Sequence, residues 1–265
     1  MLVSGGNVAH FVCFLAARAA KADWDVRTCV GRGAGRRLCV YGSAEMHTWI
    51  QKAADMSGLG IDAIRWIPIG ADLRMDVDAL RQQIVSDTAA GDLPFLVVGT
   101  AGSVSTGVVD QLRDISAVCK EHGVWFHVDG AYGGFAATLP QAPDDLRALS
   151  LADSVAVDPH KWLYAPLEAC CALVRDVEAL RATCGYHSPY YHFSQHALNY
   201  VDLGPEASPR FVMCLLTCAR QSASPPRKPT WMRSIARWWI DCSAEARRSS
   251  RICYSTVVMS GARAS

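Results

Sequence analysis

Short apolar segments alternate with longer amphipathic ones along the first 185 residues, and this alternation limits the possible folds more than any other feature. The apolar segments have the length of buried strands, and the segments between them carry apolar residues at helical spacing. Strands that alternate with helices in this way form an α/β domain, with helices flanking a mostly parallel sheet. We predict strands at 38–41, 63–68, 95–99, 124–128, 154–157 and 171–174, and helices at 7–21, 44–57, 77–89, 111–121, 144–149 and 177–182.

Ligands of such domains bind beyond the carboxyl ends of the strands, so functional side chains are expected directly after apolar segments. Lys161 is the strongest candidate, because it follows the strand 154–157 and is flanked by Pro159 and Trp162. Apolar surroundings lower the pKa of a lysine and make its amine nucleophilic. A lone lysine is more often a solvated surface residue, and the sequence around Lys161 favours the catalytic alternative only in combination with other motifs.

A second candidate is Asp129, at the end of the strand 124–128 and followed by small residues that let a flat ligand approach the backbone. A buried carboxylate needs a partner. In a pyridine cofactor this partner is the ring nitrogen, which the carboxylate keeps protonated. Hydrogen bonds to the backbone of a turn are the alternative, and Asp129 taken alone does not decide between the two.

Three weaker motifs lie at the same kind of position. His47 follows a strand, where a histidine either bonds the backbone or stacks on an aromatic cofactor. Gly6 and Asn7 lead into a helix, whose N-terminus can bind a phosphate, although many turns have this composition. A segment rich in glycine and hydroxyl groups includes Thr100 and Ser103, and it either cradles a cofactor or turns the chain.

Taken together, the motifs resemble those of the pyridoxal 5'-phosphate (PLP)-dependent group II amino-acid decarboxylases, the relatives of aromatic-L-amino-acid, histidine and glutamate decarboxylases. The specific runs are His-Val-Asp-Gly-Ala-Tyr at 127–132 and Asp-Pro-His-Lys-Trp at 158–162, and all motifs occur in that family's order between about Leu2 and Pro205. The resemblance implies PLP as the cofactor and the large domain of fold type I, the PLP-dependent transferase-like fold of aspartate aminotransferase.

The resemblance also implies a role for each motif residue. Lys161 would hold PLP as a Schiff base, and Asp129 would pair with the pyridine nitrogen. His47 would lie on one face of the ring and Ala131 on the other. The phosphate and the remaining edge of the cofactor would contact Gly6, Asn7, Thr100, Ser103, Ser154, Asp158 and His160.

The activity implied is decarboxylation of an L-amino acid with an aromatic or other bulky side chain, in a homodimer. A tyrosine on a loop after the lysine would protonate the α-carbon, and Tyr190 and Tyr191 are both candidates. An aromatic loop packed on the domain is the alternative for these two residues. Aldehyde synthase and sulfinate lyase chemistry also occur on this scaffold. From a different class, the chain could be an inactive remnant that binds PLP weakly or offers only an interaction surface.

Several features depart from the family pattern. Asn7 and Val8 stand where Ser and Glu are usual, and Cys170 stands where a glycine is usual. Family members carry a long segment before the phosphate turn, whereas only three residues precede Ser4 here. We therefore expect a large domain that is truncated at both ends.

The charge distribution indicates a boundary near residue 205. Residues 1–209 hold 16 basic and 23 acidic side chains, a net charge of −7, whereas residues 210–265 hold 10 and 2, a net charge of +8. We predict a partial PLP-binding large domain at 1–205 and, at 206–265, an aberrant basic tail that is not the family's C-terminal domain. A basic interaction arm and translation in a shifted frame are the two interpretations of this tail.

Composition excludes several other classes of function. The net charge of +1 predicts no nucleic-acid partner, and no apolar stretch reaches the roughly 18 residues of a membrane span. The 11 cysteines include no Cys-x-x-Cys pair, so we predict no metal site and mostly buried free thiols. Free thiols are typical of a protein in the reducing cytoplasm.

Overall fold

The computed structural model describes residues 1–28, 35–163, 165, 169–187, 189–190 and 200–205. Seven of its strands form one sheet: β1 (Leu2–Val3), β2 (Leu38–Ser43), β3 (Ile64–Ile67), β4 (Leu93–Thr100), β5 (Trp125–Asp129), β6 (Ser154–Val157) and β7 (Cys170–Val174). Seven α-helices accompany them: α1 (Gly6–Lys21), α2 (Trp49–Met56), α3 (Val77–Ala89), α4 (Leu112–His122), α5 (Asp144–Arg147), α6 (Pro159–Trp162) and α7 (Val177–Cys184).

The strands are ordered β1-β7-β6-β5-β4-β2-β3, and the five strands from β6 to β3 in this order are parallel. β7 is antiparallel to β6, and β1 is antiparallel to β7, so β1 runs in the same direction as the parallel strands. The carboxyl ends of β1, β2, β4, β5 and β6 therefore meet at one edge of the sheet. The predicted α/β architecture with a mostly parallel sheet is confirmed.

Two apolar layers hold the helices against the sheet. On one face α1 lies across the middle strands beside α2 and α7, and its Phe14 packs edge-on against Phe95 of β4. On the other face α3 and α4 bury Leu80, Ile84 and Ile115 against the sheet. Full burial of each such side chain contributes on the order of 2 kcal/mol to folding. These layers fix where the loops after each strand begin.

Ion pairs lie on the side of the sheet where the parallel strands begin, opposite their carboxyl ends. Arg65 Nε lies 3.2 Å from both carboxylate oxygens of Asp87, and its Nη2 lies 3.2 Å from Asp92 Oδ2. The Tyr41 hydroxyl donates to Asp87 at 2.7 Å, and Arg37 binds Asp92 through two nitrogens. Each buried carboxylate thus has a cationic partner, as buried charges require.

Most predicted elements match within two residues. Residues 77–89 form α3, and Asp76 caps this helix by accepting a hydrogen bond from Ala79 N at 2.9 Å. The predicted helix at 44–57 is wrong at its start, because α2 begins only at Trp49. The reason is local: His47 Nδ1 accepts a hydrogen bond from Trp49 N at 3.2 Å, which competes with continuation of the helix.

Two other elements were not predicted. Pro159 begins the single helical turn α6, a position that proline tolerates because its missing N–H needs no partner there. The two-residue strand β1 is too short to give a periodic signal in the sequence. The predicted tail at 206–265 lies outside the described residues. No helix in the described part of the chain is long and apolar enough to cross a membrane.

Candidate active site

A pocket opens at the shared carboxyl edge of the sheet, between the start of α1, the loops after β2, β4 and β5, and the turn α6. Its lining includes eight of the predicted site residues: Gly6, Asn7, His47, Thr100, Ser103, Asp129, Ala131 and Lys161. Residues from five separate parts of the chain thus meet because their strands end at the same edge. Lys161 and Asp129 contribute to one pocket although 32 positions of sequence separate them.

Asp129 lies at the floor of the pocket with both carboxylate oxygens occupied. Oδ1 accepts a hydrogen bond from Ala131 N at 3.1 Å and lies 3.3 Å from His10 Nε2. Oδ2 accepts a hydrogen bond from Trp49 Nε1 at 2.9 Å. Burial alone would raise the pKa of this carboxyl, but His10, the hydrogen bond from Ala131 N and the charge of His127 together outweigh burial and hold the pKa well below its usual range. Asp129 is therefore a carboxylate at neutral pH.

The start of α1 provides a place for an anion. Gly5 precedes the helix, and no side chain caps it, so the N–H groups of the first turn face the pocket beside Gly6 and Asn7. A Cβ on Gly6 would lie 3.2 Å from Asp158 Oδ2, so a larger residue would crowd the carboxylate beneath the turn. Glycine at position 6 therefore lets Asp158 and Cys170 pack directly against the turn.

The loop after β4 contributes an unsatisfied hydroxyl. Thr100 N donates to Asp110 Oδ2 at 2.8 Å, whereas the buried Thr100 Oγ1 has no hydrogen-bond partner among the described residues. A buried hydroxyl without a partner is costly, so Thr100 Oγ1 is suited to contact a polar group bound in the pocket. Ser103 lines the same wall, and its hydroxyl lies 2.5 Å from that of Thr106.

Three predicted cofactor contacts lie behind the lining rather than in it. The Ser154 hydroxyl accepts a hydrogen bond from Trp125 Nε1 at 2.9 Å and lies 2.8 Å from His127 Nδ1. Asp158 is buried beneath the turn before α1, where its carboxylate pairs with His160 and accepts the Cys170 thiol. The structure therefore brings these side chains close to the pocket without placing them on its surface.

Only one of the two predicted proton donors lies among the described residues. Tyr190 is exposed and does not belong to the lining, and Tyr191 lies outside the described residues. Their role stays a prediction.

Sequence analysis missed three residues around Asp129: His10, Trp49 and His127. His127 precedes Asp129 by two positions, so both side chains point to the same face of β5, and this spacing was a usable signal. His10 interrupts an otherwise apolar helix face, which is a weaker signal. Nothing in the sequence connects Trp49 to Asp129.

The pocket fits PLP by the chemistry of its groups. It offers a lysine amine for the aldehyde, a buried carboxylate for the ring nitrogen, an imidazole and a small alanine for the two ring faces, a helix N-terminus for the phosphate and a hydroxyl without a partner. Each of these groups complements a different part of the cofactor.

Comparison with known proteins gives the same result. The model of the pyridoxal-dependent decarboxylase conserved domain matches residues 1–209. An aromatic-L-amino-acid decarboxylase of Bacillus atrophaeus is 33% identical over 215 residues, covering 80% of this chain and 43% of that protein. The cysteine sulfinic acid decarboxylase of Mus musculus is 36% identical over 177 residues, covering 67% of this chain and 36% of that protein.

Solved structures are similar over most of the chain. The crystal structure of mouse CSAD superposes with a TM-score of 0.74 at 29% identity, covering 94% of this chain and 49% of that one. The crystal structure of Oryza sativa TDC with PLP and tryptamine gives a TM-score of 0.74 at 28% identity, covering 83% and 46%. The chain thus spans less than half the length of the relatives it matches. Because the family model matches residues 1–209, well over half of this chain, the chain belongs to the pyridoxal-dependent decarboxylase family.

Proposed function

We propose that this chain is the cofactor-binding part of a PLP-dependent amino-acid decarboxylase, with Lys161 as the residue that binds PLP covalently. The observation that carries the proposal is a carboxylate, Asp129, held ionised at the floor of the same pocket that Lys161 lines. A charged carboxylate in a buried site is expensive unless it serves a cationic group. The protonated ring nitrogen of PLP is such a group.

When bound, PLP supplies an electron-withdrawing ring that stabilises the negative charge left on the α-carbon as CO₂ departs. The residues of the pocket support this chemistry in distinct ways. Asp129 would keep the proton on the ring nitrogen, and His47 and Ala131 would enclose the ring from its two faces. The N-terminus of α1 would bind the phosphate, and Thr100 Oγ1 would be available to a polar group of the cofactor.

We propose an L-amino acid with an aromatic or other bulky side chain as the substrate. Support comes from the relatives, which include an aromatic-L-amino-acid decarboxylase and a tryptophan decarboxylase of Camptotheca acuminata that is 36% identical over 179 residues. Similarity to a 4-hydroxyphenylacetaldehyde synthase of Rhodiola rosea, at 30% identity and a TM-score of 0.67, makes an aldehyde the alternative product. A homodimer in the cytoplasm is part of the proposal, and the free thiols of the described cysteines fit that compartment.

Borohydride reduction tests the assignment of Lys161. We expect the purified protein incubated with PLP to gain a visible absorption band, to lose it on reduction, and to carry a pyridoxyl group on the peptide that contains Lys161. The variant Lys161→Ala should carry no label, whereas Lys120→Ala should be labelled like the parent. A label on Lys52 or Lys120 would contradict the assignment.

Product analysis tests the reaction class. The PLP-loaded protein is incubated with tryptophan, tyrosine, phenylalanine and cysteine sulfinate in turn, and released CO₂, amine and aldehyde are measured. An amine in equal amount to CO₂ supports decarboxylation, and an aldehyde supports the alternative. PLP bound at Lys161 without any CO₂ from these substrates would contradict the proposed activity.

A further inference from the structure

We propose that His10 is a positioning residue for the cofactor: it orients the Asp129 carboxylate toward the ring nitrogen and compensates its charge. The inference rests on the proposed function in that it assumes Asp129 to be the partner of the ring nitrogen. His10 lies on the second turn of α1, is 2% exposed, and forms part of the pocket floor. Among the described residues, His10 is the one basic side chain within 4.0 Å of the Asp129 carboxylate.

The contacts of His10 form a buried chain of hydrogen bonds. Its Nε2 lies 3.3 Å from Asp129 Oδ1, and its Nδ1 lies 3.0 Å from His127 Nε2. His127 Nδ1 in turn lies 2.8 Å from the Ser154 hydroxyl, which Trp125 fixes with its indole N–H. Because both ring nitrogens of His10 have partners, its ring cannot rotate without losing two contacts.

The chain permits two arrangements of protons. A His10 ring with one proton donates from Nε2 to Asp129 and accepts at Nδ1 from His127. A His10 ring with two protons donates to both, and His127 then accepts at Nε2 and donates to Ser154. His127 itself stays neutral in either case, because burial and then the charge of His10 lower its pKa to about 3. In both arrangements a proton of His10 points at Asp129.

Stacking adds rigidity to this arrangement. The His10 ring lies 4.3 Å from the Trp49 ring at an interplanar angle of 7°, and His127 meets both rings edge-on. The Trp49 indole N–H binds the second oxygen of Asp129. The carboxylate is therefore held through one oxygen by each of two stacked rings, which fixes both its position and its plane.

A purely structural role does not explain this choice of residues. An apolar side chain at position 10 would pack in the α1 layer without burying polar atoms, whereas a histidine needs two partners. The other ionisable groups near Asp129 are His47 and Lys161, which face it from the pocket opening, and the neutral His127 beneath it. Burial raises the pKa of Asp129 and His10 lowers it, so loss of His10 shifts this pKa upward, toward a protonated carboxyl that could not keep the ring nitrogen charged.

The test uses three substitutions in the full chain. His10→Phe keeps a ring on Trp49 but removes both nitrogens, and His10→Gln keeps an N–H donor without a charge. His122→Gln is the matched control, because this histidine lies at the end of α4, away from the pocket. The first readout is the ¹³C NMR signal of labelled aspartate carboxyls in the cofactor-free protein, with the Asp129 signal assigned by its loss in Asp129→Asn.

We expect Asp129 to remain ionised across the acidic range in the parent and in His122→Gln. In His10→Phe it should titrate at a pH above that of an ordinary aspartate, and in His10→Gln at an intermediate pH. The second readout is the dissociation constant of PLP, which we expect to rise about tenfold or more in His10→Phe, as for other residues that orient a binding group. The dissociation constant of PLP should rise less in His10→Gln than in His10→Phe.

Unchanged titration of Asp129 together with unchanged PLP affinity in His10→Phe would overturn the proposal. If His10→Phe does not fold, His10→Gln decides, and parent-like values in both readouts would overturn it. If the parent binds no PLP, the proposed function fails, while the carboxyl titration still determines whether His10 controls Asp129.

Discussion

Two buried aspartates near the pocket have pKa values shifted in opposite directions because their partners differ. Asp129 has an imidazole within 3.3 Å and its pKa is lowered, whereas Asp110 binds only the backbone N–H groups of Met75 and Thr100, each at 2.8 Å. Burial raises the pKa of Asp110 to about 6 despite those two bonds. Both residues supply a carboxyl group, and the groups around each carboxyl decide whether its pKa is raised or lowered.

His127 gives a residue-scale prediction about acid stability. The unfolded chain binds a proton at the ordinary histidine pKa of 6.5, whereas folded His127 does so only near pH 3. Between these values the unfolded state binds more protons, so acidification favours unfolding by up to about 1.4 kcal/mol per pH unit from this group. We expect urea unfolding of the parent to show this loss as pH falls below 6.5.

In the variant His127→Gln the unfolding free energy should depend less steeply on pH over the same window, since position 127 then has no group to protonate. His122→Gln, at a histidine outside the apolar layers, should retain the slope of the parent. Equal slopes for the parent and His127→Gln would mean that His127 is not the source of the acid sensitivity.

At the scale of elements, the pocket depends on how closely the loops after β4 and β5 approach each other. Gly133 N donates to Ala101 O at 2.8 Å, and a Cβ on Gly133 would lie 2.5 Å from that oxygen. Gly102 has a φ of 90°, in the left-handed region that favours glycine, and its own Cβ position faces the Gly133 backbone. These contacts hold the loop that starts at Ala101 against the loop that contains Ala131.

We expect Gly133→Ala to separate the two loops and weaken PLP binding, with a loss of about 1–3 kcal/mol in unfolding free energy from overpacking. Gly91→Ala is the control: its φ of 84° makes alanine strained there, but nothing lies within 4 Å of the added Cβ. It should lower stability without changing the dissociation constant of PLP. Parent-like PLP affinity in Gly133→Ala would show that the spacing of the loops does not matter.

At the scale of the whole molecule, the described residues up to Pro205 contain both apolar layers and the complete pocket lining. The family match ends at residue 209, close to the point where the net charge changes sign. We therefore propose that the cofactor-binding unit is residues 1–205 and that residues 206–265 do not contribute to it.

A chain that ends at Pro205 tests this boundary. We expect it to bind PLP with the affinity of the full chain and to unfold at the same denaturant concentration, because no pocket residue is removed. Spectral titration with PLP and urea unfolding measure the two quantities. Weaker binding or lower stability of the shorter chain would show that the tail packs on the domain.

The sequence by itself determined most of the elements and eight of the residues that line the pocket. Hydrophobic period identified α3 and β6 without error in their bounds, and the positions directly after strands identified Lys161, Asp129 and Thr100. These predictions succeed because side-chain period and strand ends are local properties. The predicted start of α2 was wrong because a hydrogen bond from Trp49 N to the His47 ring stops the helix there. The hydrophobic period of the sequence carries no information about such a bond.

Only the tertiary structure decided which side chains surround Asp129. His10 and His127 are 117 positions apart, and Trp49 and Asp129 are 80 apart, yet all four meet because α1 and α2 pack on the face of β5. The same packing turned Ser154 toward His127 and away from the pocket. A buried polar group takes its partners from whichever elements lie next to it, and that adjacency is set by the sheet order rather than by any local sequence signal.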